Sequence, residues 1–363
     1  MNFYKITNAD GKEWIMPSRN MALGMQLYQP TAWKGKVLKR YFPLLNEIDC
    51  FGLLRKVLHI NLCECPMSNV LLAKLQDLFS CKDIEYSVFN GTPCAHQKTT
   101  IQVYQGRKIL GYCKVTKNPE LIAIFQREEA YLYWLNGCGM TGVPRCLCCQ
   151  QIEDGQWIFV QTTTKTMQST MHMELGSLEL EFLSQLADKT RVSIPFEQTD
   201  MFSWLKRMDE LGCCGNTAVR YALKLVIEFY SMKQETTFSA YHSDFTPWNM
   251  FVESKELFVF DWEYAGRTYI PHLDIVHHIV QSSVFAHRLS ARGLYDRLFR
   301  ENSVLLGQYF ENPKMAVLAY LIDILAKYED RDKNNQTDDS LRLRSLRIQL
   351  ILQILNSPHH ELK

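Results

Sequence analysis

One short stretch, YHSDFTPWNMFVESKELFVFDWEYAG at residues 241–266, constrains the fold more than any other part of the chain. Two apolar runs, MFVE and ELFVFDW, flank the turn residues Ser254 and Lys255, and this pattern predicts a β-hairpin. Asn249 stands just before the first run, and Asp261 ends the second. Because a hairpin brings its two ends together, the sequence predicts that these two side chains converge.

The side chains around this hairpin are those that phosphoryl transfer from a nucleotide triphosphate requires. Such a reaction needs an in-line acceptor, neutralised phosphate charge and a base that receives the hydroxyl proton. Asp244 is the candidate catalytic base, and His242 beside it would orient the catalytic loop by hydrogen bonding. Asn249 and Asp261 offer oxygen ligands of the kind that Mg²⁺ prefers. A single Asp or Asn in a loop is usually a turn former, so the interpretation rests on the joint spacing.

Length, charge and hydropathy limit the alternatives. The chain has 363 residues, enough for two lobes with a sizeable core. Its net charge of +1 gives no general argument for nucleic acid or an anionic membrane as partner. No apolar run approaches the roughly 18 residues of a membrane span. The N-terminus lacks the basic-then-apolar order of a signal peptide, so we expect a cytoplasmic protein.

The 12 cysteines are scattered along the chain. In a cytoplasmic protein this distribution predicts buried thiols rather than disulfides. Two clusters, NLCECP and RCLCCQ, lack the paired CxxC spacing that structural zinc usually requires. We therefore expect no metal at either cluster.

Three regions follow one another. Residues 1–80 open with a predicted hairpin and form an N-terminal extension of unknown role. Residues 81–160 are mostly β with one helix, PELIAIFQREEAYLYWLN, and residues 161–363 are mainly helical. Within the extension, the basic amphipathic pattern GKVLKRYFPLLNEI would allow a weak peripheral contact with a membrane. Packing of this helix on its own domain is the simpler explanation.

The motif residues carry a family resemblance. HSDFTPWN followed by FVFDWEYAG resembles the catalytic segment of the aminoglycoside phosphotransferase and choline kinase superfamily, the small-molecule branch of the protein-kinase-like fold. The resemblance covers roughly residues 85–285. It implies an α+β, two-lobed fold with a small β-rich N-lobe and a mainly helical C-lobe, and it gives Asp274 the task of bracing the loop. Ser243 stands where the family usually has glycine, a departure expected to be mild because serine adopts most turn conformations.

The resemblance also implies ATP and Mg²⁺ as cofactors, and an upstream lysine–glutamate pair. Lys114 ends a predicted strand and would contact the phosphates, while Glu128 on the following helix would hold the ammonium in place. Glu129 is the rival partner. Lys98 and Thr92, in the loop GTPCAHQKTT, are further candidates for phosphate contact, although that loop has one glycine where protein kinases have three.

Two other nucleotide-binding motifs are excluded. Gly137, Gly139 and Gly142 spell GxGxxG, but the dinucleotide fingerprint follows a strand and opens a helix. Here a predicted helix precedes the glycines and Val143-Pro144 follows them, so Gly137 is better interpreted as a helix C-cap. No GxxxxGK[ST] occurs in the chain, which excludes a P-loop.

The first functional hypothesis is an ATP-dependent phosphotransferase acting on a hydroxyl of a small molecule. Candidate acceptors are a sugar, a cell-surface saccharide precursor, an amino alcohol or an aminoglycoside, and the extra N-terminal region favours the saccharide. Trp262, Glu263 and Tyr264 would line the acceptor pocket, where acidic and aromatic groups suit a cationic or polyol molecule. Packing within the C-lobe is the alternative for these three residues.

Two other classes of function remain open at this point. A metal-dependent hydrolase would need a cluster of ligands, and the candidates are His242, Asp244, His272, Asp274, His277 and His278. A non-catalytic, kinase-like interaction module in a surface-polysaccharide pathway would retain the fold alone. The presence of Lys114, Asp244, Asn249 and Asp261 together argues against this module.

Overall fold

The computed structural model describes residues 2–8, 11–28, 33–47, 60–64, 67–91, 97–210, 215–233, 236–332 and 336–357. The chain divides into two compact units. The first contains residues 1–136 and 143–170, and the second contains residues 137–142 and 171–363. The predicted extension and the predicted N-lobe therefore lie in the same unit.

The first unit is built on an eight-stranded antiparallel sheet with strand order β3-β1-β2-β4-β5-β6-β8-β7. Its strands are β1 Phe3–Thr7, β2 Glu13–Pro17, β3 Asn61–Cys63, β4 Glu85–Asn90, β5 Thr99–Gln105, β6 Lys108–Thr116, β7 Cys146–Gln151 and β8 Trp157–Thr162. Its helices are α1 Met21–Gly24, α2 Trp33–Glu47, α3 Asn69–Leu78 and α4 Pro119–Gly137.

The N-terminal hairpin continues the sheet of the predicted N-lobe. Strand β2 pairs with β4, so that Trp14 faces Phe89 across the ladder. The side chains of Leu75, Val103 and Ile158 form one buried core between α3 and the sheet. Strands β1, β2 and β3 thus extend the sheet of the N-lobe. The sequence predicted the N-terminal hairpin but not its pairing with this sheet.

Helix α4 carries one of the predicted site residues on its buried face. It starts at Pro119, where the side chain of Asn118 accepts a hydrogen bond from the backbone N–H of Glu120 at 2.9 Å, and proline suits the first helical position. Phe125, Leu132 and Leu135 are buried, as the periodicity predicts. Glu128 lies among them with no exposed surface, and a buried carboxylate requires a partner.

The second unit is mainly helical, as the predicted fold class implies for the C-lobe. Its helices are α5 Ser177–Lys189, α6 Asp200–Glu210, α7 Thr217–Ser231, α8 Leu273–Phe285, α9 Ala291–Asp296, α10 Ser303–Tyr309, α11 Pro313–Asp332 and α12 Asp338–Asn356. Its strands are β9 Val192–Ile194, β10 Thr236–Tyr241, β11 Met250–Glu253, β12 Glu256–Val259 and β13 Gly266–Tyr269. None of the helices in the described part of the chain has the length and apolarity needed to span a bilayer.

The predicted hairpin is confirmed. Strands β11 and β12 pair in antiparallel register, with Met250 opposite Val259. Ser254 and Lys255 connect them with φ values of 52° and 67°, the left-handed backbone of a tight hairpin turn. Strand β10 leads into the loop that carries Asp244, and its sequence, TTFSAY, is rich in the β-branched and aromatic residues that favour strands.

Gly142 shows why the glycine cluster is not a nucleotide fingerprint. Its carbonyl accepts a hydrogen bond from the N–H of Val259 at 2.8 Å. A Cβ atom at this position would lie 2.3 Å from the carbonyl oxygen of Leu257, and its φ is +70°. Glycine is therefore required for close approach to β12. Helix α4 extends through Gly137, and the first left-handed residue beyond it is Gly139.

Candidate active site

Asp244 lies in the loop after β10, with its carboxylate held from two sides. The side-chain amide of Asn249 donates to Oδ2 at 2.7 Å, and Nε2 of His277 lies 3.4 Å from Oδ1. A 3₁₀ turn, Pro247–Asn249, brings Asn249 back towards this carboxylate. About a third of the Asp244 side chain, 34%, remains exposed. The carboxylate is therefore fixed in position and still accessible to a reacting hydroxyl.

His277 is a partner of Asp244 that the sequence did not identify. It lies on α8, 33 residues further along the chain, and only 1% of its surface is exposed. Burial lowers the pKa of its imidazole, although the neighbouring Asp244 opposes this shift. The ring is therefore neutral at physiological pH, and its Nε2–H donates to the carboxylate. The sequence named His277 only as a possible metal ligand, and nothing in it indicates the direction of the ring nitrogens.

His242 has no ring nitrogen left for proton transfer. Nδ1 accepts from the backbone N–H of Asp244 at 3.2 Å, and Nε2 lies 3.0 Å from the carbonyl oxygen of Phe260. A carbonyl only accepts hydrogen bonds, so the proton is on Nε2. Burial lowers the pKa of His242 to about 4, which keeps the ring neutral. This geometry supports the loop-orienting role.

Asp274 braces the same loop from α8, as the resemblance implies. Its carboxylate accepts the backbone N–H groups of His242 at 2.8 Å and Ser243 at 3.1 Å. The side chain is 2% exposed, and burial raises its pKa to about 7 while the two hydrogen bonds oppose that shift. Two consecutive backbone amides are thereby fixed next to Asp244.

Ser243 adopts a backbone conformation that glycine accommodates more easily. Its φ is +71°, in the left-handed region that costs an L-residue roughly 1–2 kcal/mol. The expectation that serine is a mild departure here is therefore wrong about the backbone. The cost has a visible compensation, because Nζ of Lys327 donates to the Ser243 hydroxyl at 2.8 Å.

Lys327 joins this loop to the core of the second unit. Its ammonium forms an ion pair with Asp323 one turn earlier on α11, with Nζ and Oδ2 2.8 Å apart. It also lies over the rings of Tyr241 at 4.8 Å and Tyr269 at 4.7 Å. Asp323 is fully buried and Lys327 is 11% exposed. We assign Lys327 as a positioning residue that the motif did not reveal.

Substitutions at Ser243 separate the backbone cost from the hydrogen bond. Ser243→Ala keeps the left-handed cost and loses the hydrogen bond, so we expect the free energy of unfolding to fall by about 1–2 kcal/mol. Ser243→Gly loses the same hydrogen bond but relieves the backbone, so it should be about 1 kcal/mol more stable than the alanine variant. Urea denaturation of both variants measures the difference. An alanine variant as stable as the glycine variant would contradict the backbone argument.

Asn249 and Asp261 lie at the same end of the hairpin, as predicted. The N–H of Phe260, next to Asp261, donates to the carbonyl of Asn249 at 3.0 Å. The amide nitrogen of Asn249 donates to both the backbone carbonyl and the carboxylate of Asp244. The amide oxygen therefore points to the remaining side of the group, where a hard cation could use it. A carboxylate and a carboxamide form a suitable partial ligand set for Mg²⁺.

In the first unit, the structure joins Lys114 and Glu128 in a buried ion pair. Nζ of Lys114 lies 2.7 Å from Oε2 of Glu128, and the two side chains are 6% and 0% exposed. The ammonium also lies 5.4 Å from the ring centroid of Phe159. Glu129, the rival, has its carboxylate 3.9 Å from the thiol of Cys146. The geometry thus selects Glu128, while a role of the pair in nucleotide binding stays a prediction.

The remaining candidate residues, for phosphate contact and for the acceptor pocket, differ in their burial. Lys98 is half-buried at the end of its loop, where its carbonyl accepts from the N–H of Gly91 at 3.4 Å. Thr92 lies outside the described residues. Trp262 does not line a pocket, because it is 1% exposed and its ring lies 4.3 Å from that of His242. Glu263 is half-buried, while Tyr264 is 38% exposed.

The ligand cluster of a hydrolase is not assembled. In the described ranges, no group of three or more potential metal ligands includes the candidate histidines. His242 is fully used by backbone groups, and Nδ1 of His278 lies 3.4 Å from the hydroxyl of Ser282. The cysteines of the described segments are free thiols and form no such group either.

Several solved structures share this fold. Aminoglycoside phosphotransferase APH(4)-Ia has a TM-score of 0.54 and 12% identity, over 80% of this chain and 100% of that chain. A thermostable mutant of it, in ternary complex with ADP and hygromycin B, has a TM-score of 0.54 and 13% identity, over 80% of this chain and 100% of that chain. A candidate aminoglycoside phosphotransferase from Ralstonia eutropha has a TM-score of 0.50 and 12% identity, over 80% of this chain and 98% of that chain.

No protein-family model matches the sequence, and the search of curated proteins also found no match. The structural likeness is therefore one of fold. The chain has the α+β, protein-kinase-like fold, with an antiparallel β-sheet N-lobe and a helical C-lobe. More narrowly, it has the fold of the aminoglycoside phosphotransferases, and the resemblance predicted from the motif is confirmed at this level.

Proposed function

We propose that this protein is an ATP-dependent phosphotransferase acting on a hydroxyl group of a small molecule. The observation that carries the proposal is the carboxylate of Asp244, held by Asn249 and His277 and still partly exposed. Structural stability does not require such a carboxylate to remain accessible, whereas a base that receives a hydroxyl proton must be fixed and accessible.

Each remaining residue has a role in this proposal. Asn249 and Asp261 would hold Mg²⁺, which would supply charge neutralisation at the phosphates of ATP. Lys114 would contact the phosphates, and Glu128 would keep its ammonium oriented. His242 acts by fixing the loop rather than by transferring a proton. Lys98 adds a phosphate contact from the preceding loop.

For the acceptor, we propose a sugar or a cell-surface saccharide precursor. The APH(4)-Ia mutant of the same fold was solved in ternary complex with ADP and hygromycin B, which supports a small-molecule acceptor. We also propose a cytoplasmic location, which the free thiols of the described cysteines support. The paired Lys114 and Glu128 favour an enzyme over a non-catalytic interaction module.

Two measurements test the proposal. Mg-ATP at 100 times its dissociation constant should stabilise the protein by about 2.7 kcal/mol in thermal unfolding. A panel of sugars, amino alcohols and aminoglycosides, followed by ADP release, should then yield at least one phosphorylated product. The proposal would be overturned if Mg-ATP did not stabilise the protein and no acceptor in the panel were phosphorylated. Stabilisation by Zn²⁺ or Mn²⁺ alone would favour the hydrolase.

Asp261→Asn tests the metal assignment separately. Removing one anionic ligand weakens the attraction for a divalent cation, so we expect Mg²⁺ to add less than half of the extra thermal stabilisation that it adds to the parent with ATP. The shift with ATP and EDTA should remain. Asp188→Asn, at a carboxylate that is 69% exposed, is the matched control, and an unchanged Mg²⁺ increment in Asp261→Asn would show that Asp261 is not a ligand.

A further inference from the structure

We propose that the exposed face of helix α2 binds an anionic membrane surface. This face is the α2 stripe, formed by Trp33, Val37, Tyr41 and Leu44, whose exposed fractions are 70%, 44%, 48% and 54%. Successive members are four, four and three residues apart, which places them within about 80° of one another around the helix. Exposed apolar residues scattered singly are normal, but a contiguous stripe indicates an interaction site.

The α2 stripe is not the side by which the helix packs on its own unit. Phe42 is fully buried on the opposite side, and Leu38 and Leu45 pack against the same cluster as Trp14. The side chain of Asn46 donates to the carbonyl of Ser18 at 2.8 Å on this inner side. The domain-packing explanation thus accounts for one apolar face and leaves the second unexplained.

Basic residues border the α2 stripe on both edges. Lys34 follows one edge, and Lys36 and Arg40 lie along the other, all three exposed. The guanidinium of Arg40 lies 5.8 Å from the ring centroid of Tyr41. In the sequence of the helix no acidic residue precedes Glu47. The exposed side of α2 is therefore both apolar and cationic, although the net charge of the chain is only +1.

This combination matches a lipid surface. Trp and Tyr favour the boundary between headgroups and acyl chains, and lysine and arginine at that depth attract anionic headgroups. A helix lying flat would insert the stripe while its basic borders remain at the headgroups. A protein partner would need an apolar groove with acidic groups on both sides of it. An anionic membrane has acidic headgroups above an apolar layer over its whole surface.

Vesicle co-sedimentation of the full chain tests the proposal. With vesicles of equal parts phosphatidylglycerol and phosphatidylcholine in low salt, we expect a bound fraction that falls steeply at 0.5 M NaCl, because salt screens exposed charges. Vesicles of phosphatidylcholine alone should bind at least about ten-fold more weakly. This measurement does not depend on the proposed phosphotransferase activity.

Two double variants separate the apolar and charged contributions. Trp33→Ser with Tyr41→Ser should lower the partition coefficient by at least about ten-fold. Lys36→Gln with Arg40→Gln should lower it by about 25-fold, about five-fold for each charge. The matched controls are Tyr221→Ser with Met232→Ser, exposed by 56% and 77% elsewhere, and Lys206→Gln with Lys224→Gln, and both should bind like the parent.

Three outcomes would overturn the proposal. The first is the absence of binding to the anionic vesicles in low salt. The second is equal loss in the α2 variants and their controls, which would mean that binding is not local to this helix. The third is self-association of the chain that the α2 variants abolish while vesicle binding is absent, which would make a second copy the occupant. Circular dichroism of each variant confirms that the fold is retained.

Discussion

Asp244→Asn should reduce phosphate transfer to the acceptor by about 10³-fold and leave the thermal stabilisation by Mg-ATP unchanged. General-base catalysis contributes roughly 10²–10⁴-fold, and an amide cannot receive the hydroxyl proton at physiological pH. The amide oxygen can still accept the hydrogen bond from Asn249, so the loop should keep its conformation. Transfer is measured on the acceptor found in the panel, and binding is measured by thermal unfolding with Mg-ATP.

Asp244→Asn should also lower the stability of the protein, because it disturbs the hydrogen bond with His277. With its oxygen facing Asn249, the new amide would direct its NH₂ group at Nε2–H of His277, a donor opposite a donor, whereas the carboxylate is an acceptor only. Nδ1 of that ring is buried and makes no hydrogen bond with any residue that the structure describes, so a change of tautomer gains no partner there. We expect the free energy of unfolding to fall by about 1 kcal/mol, too little to unfold the protein.

The matched control is Asp188→Asn, at an exposed carboxylate on α5. It should change neither transfer nor stability measurably. Full activity of Asp244→Asn on an identified acceptor would show that another group receives the proton. Loss of the Mg-ATP stabilisation together with activity would instead make Asp244 a binding residue.

The parts of the site that the sequence predicted are those encoded by short spacings. The hairpin, and with it the placement of Asn249 and Asp261 at the same end, follows from the apolar runs on either side of Ser254 and Lys255. Lys114 and Glu128, a pair that the family resemblance implies, lie 14 residues apart, on a strand and on the helix that follows it. Local patterns of this kind depend little on the rest of the chain.

The parts that the sequence did not reveal depend on contacts between distant segments. Lys327 lies 84 residues from Ser243, and α11 has no motif that identifies this lysine among its neighbours. The pairing of β2 with β4 joins segments more than 70 residues apart, so the extension was separated from the sheet that it completes. For Trp262 the sequence left both a pocket and packing open, because aromatic groups serve both, and only tertiary structure distinguishes the two.

Lys327→Met should lower the free energy of unfolding by about 3–5 kcal/mol, the usual cost of removing one partner from a buried ion pair. The substitution leaves Asp323 buried and without its ammonium partner, removes the hydrogen bond to Ser243 and keeps the volume similar. Lys224→Met is the matched control, since Lys224 and Glu228 have the same i, i+4 spacing but are 70% and 53% exposed. We expect this control to cost no more than about 0.5 kcal/mol.

The pH dependence of Lys327→Met identifies the stranded carboxylate as the cause. Burial raises the pKa of Asp323, and Lys327 opposes that shift, so the variant should raise this pKa further. The folded state then binds more protons than the unfolded state, and stability falls as pH rises above the ordinary carboxyl pKa of about 4. Urea unfolding at pH 5 and pH 8 should therefore show a larger loss, relative to the parent, at pH 8.

A second substitution distinguishes the stranded charge from damage to the loop. In Lys327→Met with Asp323→Leu the buried pair becomes two apolar side chains, so most of the lost stability should return. We expect Lys327→Met to reduce phosphate transfer, and transfer should stay reduced in the double variant, because Ser243 still lacks the hydrogen-bond donor Lys327. Adding Ser243→Gly to this double variant should then raise the transfer rate, since glycine adopts that backbone without help. If the transfer rate recovered fully in the double variant Lys327→Met with Asp323→Leu, before Ser243→Gly is added, Lys327 would stabilise the second unit without positioning the loop.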